Sequence, residues 1–434
     1  MKLRFHGPIA ELNPATRRAL FDRLVDGVEE IRRSVRDIVA DVRRRGDVAL
    51  LEQAARFDQV KLERLEVPRS AWRRALDALA PEVRTALERA AANIERAHRA
   101  WQPTPTEVET EPGVWLCREP LPISRVGVYV PGGRAAYPSS VLMGVIPARV
   151  AGVPDVVICS PPGPNELPAD PILAAAELAQ ASRVFAVGGA GAVAALAFGT
   201  ESVPRVDKIV GPGNAYVMEA KLLVASRAGI DAPAGPSEVL IVADQTAALD
   251  VVALEMVAQA EHDPRAAVVA VLVGAPDRSA ELIQTLDSIL AGAGRAAIAR
   301  DALAAAGGIL SATYMDEAAA FANAYAPEHL LLMVADPDAA RSRFRTAGAV
   351  FVGATSSVVF GDYLTGANHV LPTGGLARSY SGLSTPDFVR WTTFQRVSPE
   401  AARRLARDTA ILAELEGLPG HALAARRWDG GATE

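Results

Sequence analysis

Cysteine, histidine, basic blocks and long apolar runs are all scarce in this 434-residue chain. The two cysteines, Cys117 and Cys159, stand far apart, which excludes a disulfide framework and a cysteine-based zinc motif. Basic residues gather only in short pieces such as Arg43-Arg44-Arg45. The 45 Lys and Arg against 51 Asp and Glu leave a formal net charge of −6, which argues against nucleic acid as the main partner. No run reaches the roughly 18 apolar residues that a membrane helix needs. The opening residues Met1-Lys2-Leu3-Arg4-Phe5-His6 lack an apolar h-region, so a cytoplasmic protein with no membrane association is expected. What remains is an ordinary globular balance, 50% hydrophobic and 22% charged, in a chain long enough for two or three domains.

The first hundred residues read as helical. Val28 to Arg45 carries apolar positions at a period near 3.6 and stops at Gly46, and Pro81 to Trp101 is a second amphipathic stretch. From about Ile123 the pattern becomes strand, glycine loop, helix. Val126–Val130 runs into Pro131-Gly132-Gly133, Val156–Cys159 into Ser160-Pro161-Pro162-Gly163, and Arg183–Val187 into Gly188-Gly189-Ala190-Gly191. Lys208–Val210 then leads into Gly211-Pro212-Gly213-Asn214. Such units demand parallel sheets covered by helices on both faces. Val239–Ala243, Ala267–Val273, Ile309–Tyr314, Leu330–Val334 and Ala349–Val352 predict a second sheet. Gly361 to Thr385 has no period of either kind, and a long irregular stretch inside a compact domain is usually functional or disordered. From Pro399 the chain reads as helical again.

Gly189-Ala190-Gly191-Ala192-Val193-Ala194 fits G-x-G-x-x-A between a strand and a helix, and Asp207 follows where a ribose-binding acid belongs. Tight strand-to-helix turns use glycine in any case, so the pattern alone does not separate a nucleotide loop from a structural turn. Of the six histidines, His262 ends a helical segment three residues after Gln259. Glu328-His329 follows Pro327, which pushes Ala326 toward extended geometry. Adjacent strand residues face opposite ways, so Glu328 and His329 can share a site only where the backbone turns. No pair has the spacing of a local zinc motif, and both cysteines read as structural.

Eight motifs in order carry a resemblance over nearly the whole chain. They are Gly127-Val128-Tyr129-Val130-Pro131-Gly132-Gly133, Lys208-Ile209-Val210-Gly211-Pro212-Gly213-Asn214-Ala215-Tyr216-Val217, Ala234-Gly235-Pro236-Ser237-Glu238 and Gln259-Ala260-Glu261-His262-Asp263-Pro264. Ala326-Pro327-Glu328-His329-Leu330, Gly361-Asp362-Tyr363, Asn368-His369-Val370-Leu371-Pro372-Thr373 and Glu416-Gly417-Leu418 with His421 complete the set. Together they resemble the histidinol dehydrogenase family.

The resemblance implies an α/β fold: two Rossmann-like parallel-sheet domains forming a globule, with small helical N- and C-terminal dimerisation segments. The implied division is 1–25, 26–128 with 238–381, 129–237, and 382–434. It implies oxidation of L-histidinol through L-histidinal to L-histidine by two NAD⁺, in a homodimer with one Zn²⁺ per protomer. Carried over by position, the zinc ligands are Gln259, His262, Asp362 and His421, with His421 and Glu416 acting in trans. His329 is the implied base for the alcohol, and Glu328 the residue that activates water on the aldehyde. Ser237, Gln259, His262, Glu328, His329, Asp362, Glu416 and His421 are the implied substrate contacts, and His369 lines the site. NAD⁺ contacts fall on Tyr129, Asn214 and position 191. There the family glutamine is replaced by Gly191, which predicts weaker NAD⁺ binding by one hydrogen bond, about 0.5–1.5 kcal/mol, recoverable by Gly191→Gln. Two other readings compete: a paralogue oxidising another polar primary alcohol, and a two-lobed solute-binding protein with no chemistry.

Overall fold

The strands between residues 125 and 210 and between 238 and 352 are apolar runs set between glycine or proline turns, and the computed structural model describes residues 2–23, 28–132 and 135–430. In chain order the strands are β1 (Phe5–Pro8), β2 (Thr106–Glu111), β3 (Val114–Pro122), β4 (Arg125–Tyr129), β5 (Asp155–Ser160), β6 (Arg183–Ala186) and β7 (Lys208–Val210). There follow β8 (Gly229–Ile230), β9 (Glu238–Ala243), β10 (Ala267–Val273), β11 (Gly308–Ala312), β12 (His329–Met333), β13 (Ala349–Val352) and β14 (Val389–Val397).

Two parallel sheets result, one ordered β6-β5-β4-β7-β8 and the other β1-β11-β10-β9-β12-β13. Apart from the edge strand β1 both have one order: the first strand is central, the next two extend to one side, and the last two to the other. Strands β9 and β10 are buried at every position, as the interior of a sheet covered on both faces requires. Val239, Ile241 and Leu331 face one apolar cluster while Leu240, Val242 and Leu332 face another, so the six-stranded sheet has a packed core on each side.

The chain divides into two compact units. Met1–Trp101 with Ile123–Phe388 holds both parallel sheets, and Gln102–Pro122 with Val389–Glu434 forms the second unit. The second is not purely helical. It contains an antiparallel sheet ordered β14-β3-β2 besides the helices Pro399–Leu415 and Pro419–Arg426. Nor is the N-terminal segment: β1 pairs in parallel with β11, Phe5 against Gly308. The proposed boundary at residue 129 falls within β4, the centre of the five-stranded sheet, whereas the boundary at 25/26 and Gly133 lie outside the described residues.

One buried ion pair fixes the loop after β7. Lys221, on the helix Ala215–Val224, pairs with Asp231, their side chains 7% and 3% exposed. Lys221 Nζ donates to the Gly211 carbonyl at 2.9 Å, and Asp231 Oδ2 accepts from the Gly211 N–H at 2.7 Å. Gly211 has φ +113°, and a Cβ there would sit 2.1 Å from the Tyr129 carbonyl oxygen, so only glycine lets the end of β7 close on β4. Removing one member of a buried pair leaves an uncompensated charge. Lys221→Met is therefore expected to cost about 3–5 kcal/mol in urea unfolding, and Lys221→Met with Asp231→Asn distinctly less. A single variant within about 1 kcal/mol of the parent would contradict this account.

Candidate active site

A cavity of about 470 Å³ opens in the larger unit, lined from one sheet by Tyr129 and Asn214 and from the other by Ser237, Glu328 and His329. Its location follows from strand order. Neighbouring β4 and β7 carry their onward connections in opposite directions, and ligands of open parallel sheets bind outside the carboxyl ends at that switch point. Tyr129 is the last residue of β4, and Asn214 ends the loop after β7. Both candidate cofactor residues thus sit at the crevice.

Their chemistry is set locally. The Tyr129 hydroxyl accepts the Gly189 N–H at 3.2 Å, and burial pushes its pKa up to about 12, so it keeps its proton as a donor. The Asn214 carboxamide oxygen caps the helix Ala215–Val224 by accepting from the N–H groups of Tyr216 and Val217 at 3.0 and 3.2 Å. Its Nδ2 is left to offer a ligand.

The glycine fingerprint is only half present. Gly189 opens the helix Gly189–Phe198 at φ +61°, but Asp207 lies at the amino end of β7, the opposite end of the sheet from the loops. Its carboxylate accepts from the Arg125 N–H at 3.1 Å. Asp207 is therefore not a ribose-binding acid; the eighteen-residue spacing is consumed before the next strand begins. Position 191 is also occupied. A Cβ on Gly191 would lie 2.2 Å from Gln53 Oε1 and 3.3 Å from Leu50 Cδ2.

On the other wall, Glu328 and His329 do share one site. Pro327 disfavours the right-handed helical region for Ala326, which ends the helix Met315–Tyr325 left-handed at φ 50°, ψ 67° rather than extended. That reversal leaves Glu328 just before β12 and His329 as its first residue, so both side chains line the cavity. His329 Nδ1–H donates to the Glu238 carbonyl at 2.8 Å, and Glu328 Oε2 lies 3.4 Å from the same nitrogen. In the neutral imidazole Nε2 is therefore the nitrogen free to accept a proton. This atom is buried without a hydrogen-bond partner among the described residues, with Asp362 Oδ1 3.7 Å away. Burial alone would lower the imidazole pKa; the Glu328 carboxylate and then Asp362 outweigh it and push His329 up to about 9.

Gln259 lies in the last turn of the helix Leu249–Ala260, and its carbonyl accepts from His262 N–H at 3.4 Å in the turn beyond. Asp362 reaches the same cavity from the helix Val358–Tyr363. Burial raises the Asp362 pKa while His329 and His262 pull it back. His369, in the irregular stretch, holds that helix: its Nδ1 hydrogen-bonds the Asp362 carbonyl at 3.2 Å and its Nε2 the Ser140 hydroxyl at 3.1 Å. Burial drives its pKa down to about 4, so it stays neutral. Glu416 and His421 belong to the second unit, both exposed. Sequence reasoning assigned no role to Gln53, to Arg23 or to the Glu238 carboxylate, and the last two prove to stand directly behind Glu328.

The sequence matches the family described as histidinol dehydrogenase over residues 22–427. It is 47% identical to a histidinol dehydrogenase of Methanothermobacter thermautotrophicus over 408 residues, covering 94% of this chain and 96% of the relative. It is 48% identical to that of Natronomonas pharaonis, covering 95% and 97%. The crystal structure of histidinol dehydrogenase from Elizabethkingia anophelis superposes with a TM-score of 0.92 at 33% identity, covering 99% of this chain and 98% of that one.

Gly191→Gln must swing the flexible end of Gln53 aside and tighten the contact with Leu50 Cδ2, which sits at the low end of overpacking costs, about 1 kcal/mol. The expected result is a lower thermal midpoint with no gain in NAD⁺ affinity, the midpoint recovering when Gln53→Ala is added. A fully stable single variant that binds NAD⁺ more tightly would restore the simpler expectation from sequence.

Proposed function

We propose a division of labour within an enzyme that belongs to the histidinol dehydrogenase family, an oxidoreductase of histidine biosynthesis that oxidises histidinol with NAD⁺. The observation that carries the proposal is the buried Nε2 of His329, which has no hydrogen-bond partner among the described residues and faces the cavity beside Glu328 while Nδ1–H is committed to the Glu238 carbonyl.

In this reading the alcohol of histidinol gives its proton to His329 Nε2 as hydride passes from carbon to NAD⁺. Glu328 takes a proton from water as the water oxygen adds to the aldehyde, whose own oxygen takes back the proton held on His329. Hydride then leaves the resulting hydrate to a second NAD⁺ while a hydroxyl proton passes to His329. The sum is RCH₂OH + H₂O + 2 NAD⁺ → RCOO⁻ + 2 NADH + 3 H⁺. A thiolate has no place in this scheme: Cys159 is buried with its pKa driven upward, and Cys117 lies in the second unit. Tyr129 and Asn214 hold NAD⁺ at the switch point, and Ser237, on the wall of Glu328 and His329, contacts substrate.

A zinc ion fits the donor chemistry of this cavity, whose lining includes Gln259, His262 and Asp362. Among the described residues no three or more His, Cys, Asp or Glu side chains are gathered as a metal cage. Our ligand set draws only His262 and Asp362 of those types from this unit, adds the Gln259 carboxamide, and takes its fourth member from a second protomer. Bound there, zinc supplies a Lewis acid that orients the substrate imidazole and amine.

We assign the fourth ligand to His421 of the partner subunit, with Glu416 of the partner subunit on the substrate. Uncovered apolar surface supports such an assembly. Leu415 and Leu423 are 82% and 71% exposed in the second unit, and Phe360 and Tyr363, beside Asp362, are 54% and 51% exposed in the first. Our working division moves the sheet boundary of the sequence partition to Arg125 and joins Gln102–Pro122 to the C-terminal segment, with which β2 and β3 form one sheet. A cytoplasmic location is likewise our assignment; no helix among the described residues is long and apolar enough to cross a membrane.

Limiting histidinol should yield two NADH per molecule, lost on chelation and restored by zinc. Mixing His262→Ala with His421→Ala protein, each inactive alone, should restore about a quarter of the activity if His421 acts in trans, because half of the dimers are mixed and each has one intact site. No recovery after subunit exchange would place His421 in cis.

A further inference from the structure

Behind Glu328 and His329 lies a buried charge pair that neither binding nor chemistry accounts for. Arg23 Nε donates to Glu238 Oε1 at 2.8 Å, with side chains only 6% and 2% exposed. Neither residue lines the cavity. Two charges taken this far out of water are costly to bury, and such a pair often stabilises less than apolar residues of the same volume. Its contacts show what it does instead.

Each group of Glu238 meets the backbone or side chains around the catalytic pair. Its N–H donates to Glu328 Oε2 at 2.7 Å, and its carbonyl accepts from His329 Nδ1–H at 2.8 Å. Its carboxylate accepts from the Glu328 N–H at 3.3 Å and from the Gly374 N–H at 2.7 Å. Arg23 acts on the residues just upstream. Its Nη2 donates to the carbonyls of Tyr325 and Ala326 at 2.8 and 3.4 Å, and its guanidinium lies 3.6 Å from the centre of the Tyr325 ring. Ala326 is the left-handed alanine that turns the chain into Pro327-Glu328-His329. A conformation of this kind persists only where its surroundings over-determine it.

We propose that Arg23 and Glu238 are the positioning unit of this active site. Glu238 sets the orientation of Glu328 and the tautomer of His329, and Arg23 both balances the Glu238 charge and clamps the reversed Tyr325–Ala326 backbone. The inference rests on the reading of Glu328 and His329 as the reacting pair. No hydrogen bond of Arg23 or Glu238 reaches Tyr129 or Asn214, so the unit acts on the chemical steps and leaves cofactor binding alone.

The test compares Arg23→Met, Arg23→Lys and the double variant Arg23→Met/Glu238→Gln with the parent, zinc-replete. Glu328→Gln and His329→Asn serve as references. NAD⁺ binding is followed by titration calorimetry, which also counts competent sites. Arg23→Met should lower kcat about a hundredfold per competent site, the scale of a 1 Å misplacement, with the Kd for NAD⁺ within about twofold. Arg23→Lys keeps the charge but loses the fork and should fall between parent and Arg23→Met. The double variant should recover at least about fivefold over Arg23→Met, because no unpaired carboxylate is left buried. If Arg23→Met does not fold, the same ordering of Arg23→Lys and the double variant below the parent, at unchanged NAD⁺ affinity, decides the matter. Parent-like kcat in folded Arg23 variants overturns the proposal, as does a loss that tracks the number of competent sites. Parent-like kcat in Glu328→Gln and His329→Asn overturns the underlying reading instead.

Discussion

Two glutamates at the amino ends of neighbouring parallel strands hold each other through their backbones. The Glu238 N–H donates to the Glu328 carboxylate at 2.7 Å and the Glu328 N–H to the Glu238 carboxylate at 3.3 Å. Parallel pairing of β9 with β12, His329 opposite Val239, brings the two residues side by side. Two carboxylates this close and this buried demand compensation. Arg23 and the Gly374 N–H supply it for Glu238, and the Glu238 N–H supplies it for Glu328. The N-terminal segment and the irregular stretch 361–385 are thereby tied to the same point. Much of the geometry of this wall follows from satisfying that pair.

Placement of the cavity is a consequence of topology. Both parallel sheets run outward in both directions from a central first strand, and the five-stranded one opens its crevice where β4 and β7 part. The six-stranded sheet contributes the amino ends of β9 and β12 to the same cavity, not its own carboxyl ends. One sheet thus presents loops able to hold a dinucleotide. The other presents strand starts, whose N–H and C=O groups can orient acid and base. In the proposed division of labour, carboxyl ends bind and amino ends position, and groups on strand starts are held more rigidly than loops alone would allow.

How much of this was legible in the sequence depends on whether local pattern or tertiary pairing decides the structure. Strands β4 to β7 and β9 to β13 are apolar runs cut by glycine or proline, and their buried faces make them readable. Strand β1, with Gly7 and Pro8 in four residues, forms only because β11 is beside it. In β2, Thr106–Glu111, three of six residues are glutamates and none is buried, so no core face marks it. The identities of Gln259, His262, Glu328, His329 and Asp362 came from motif resemblance, whereas their convergence on one cavity came from the fold. Gln53 and Arg23 were invisible for another reason. Each meets its partner across more than a hundred residues, in a helical or loop segment with no motif of its own.

The glycine at position 191 shows how such distant contacts change the meaning of a substitution. Read along the chain it is a lost side chain, and therefore a lost hydrogen bond. Read in space it is the room that Gln53 Oε1 occupies against the first turn of the helix Gly189–Phe198. The amide has not vanished from the neighbourhood of this turn. It arrives from a different helix, Asp47–Gln53, whose last side chain must move aside for any Cβ at residue 191. The two positions are therefore constrained jointly, and neither can be interpreted from its own letter. The same holds for Ala326: its left-handed backbone is unfavourable taken alone, and it becomes intelligible only beside Pro327, which bars the helical alternative, and Arg23, which binds the carbonyls the reversal exposes.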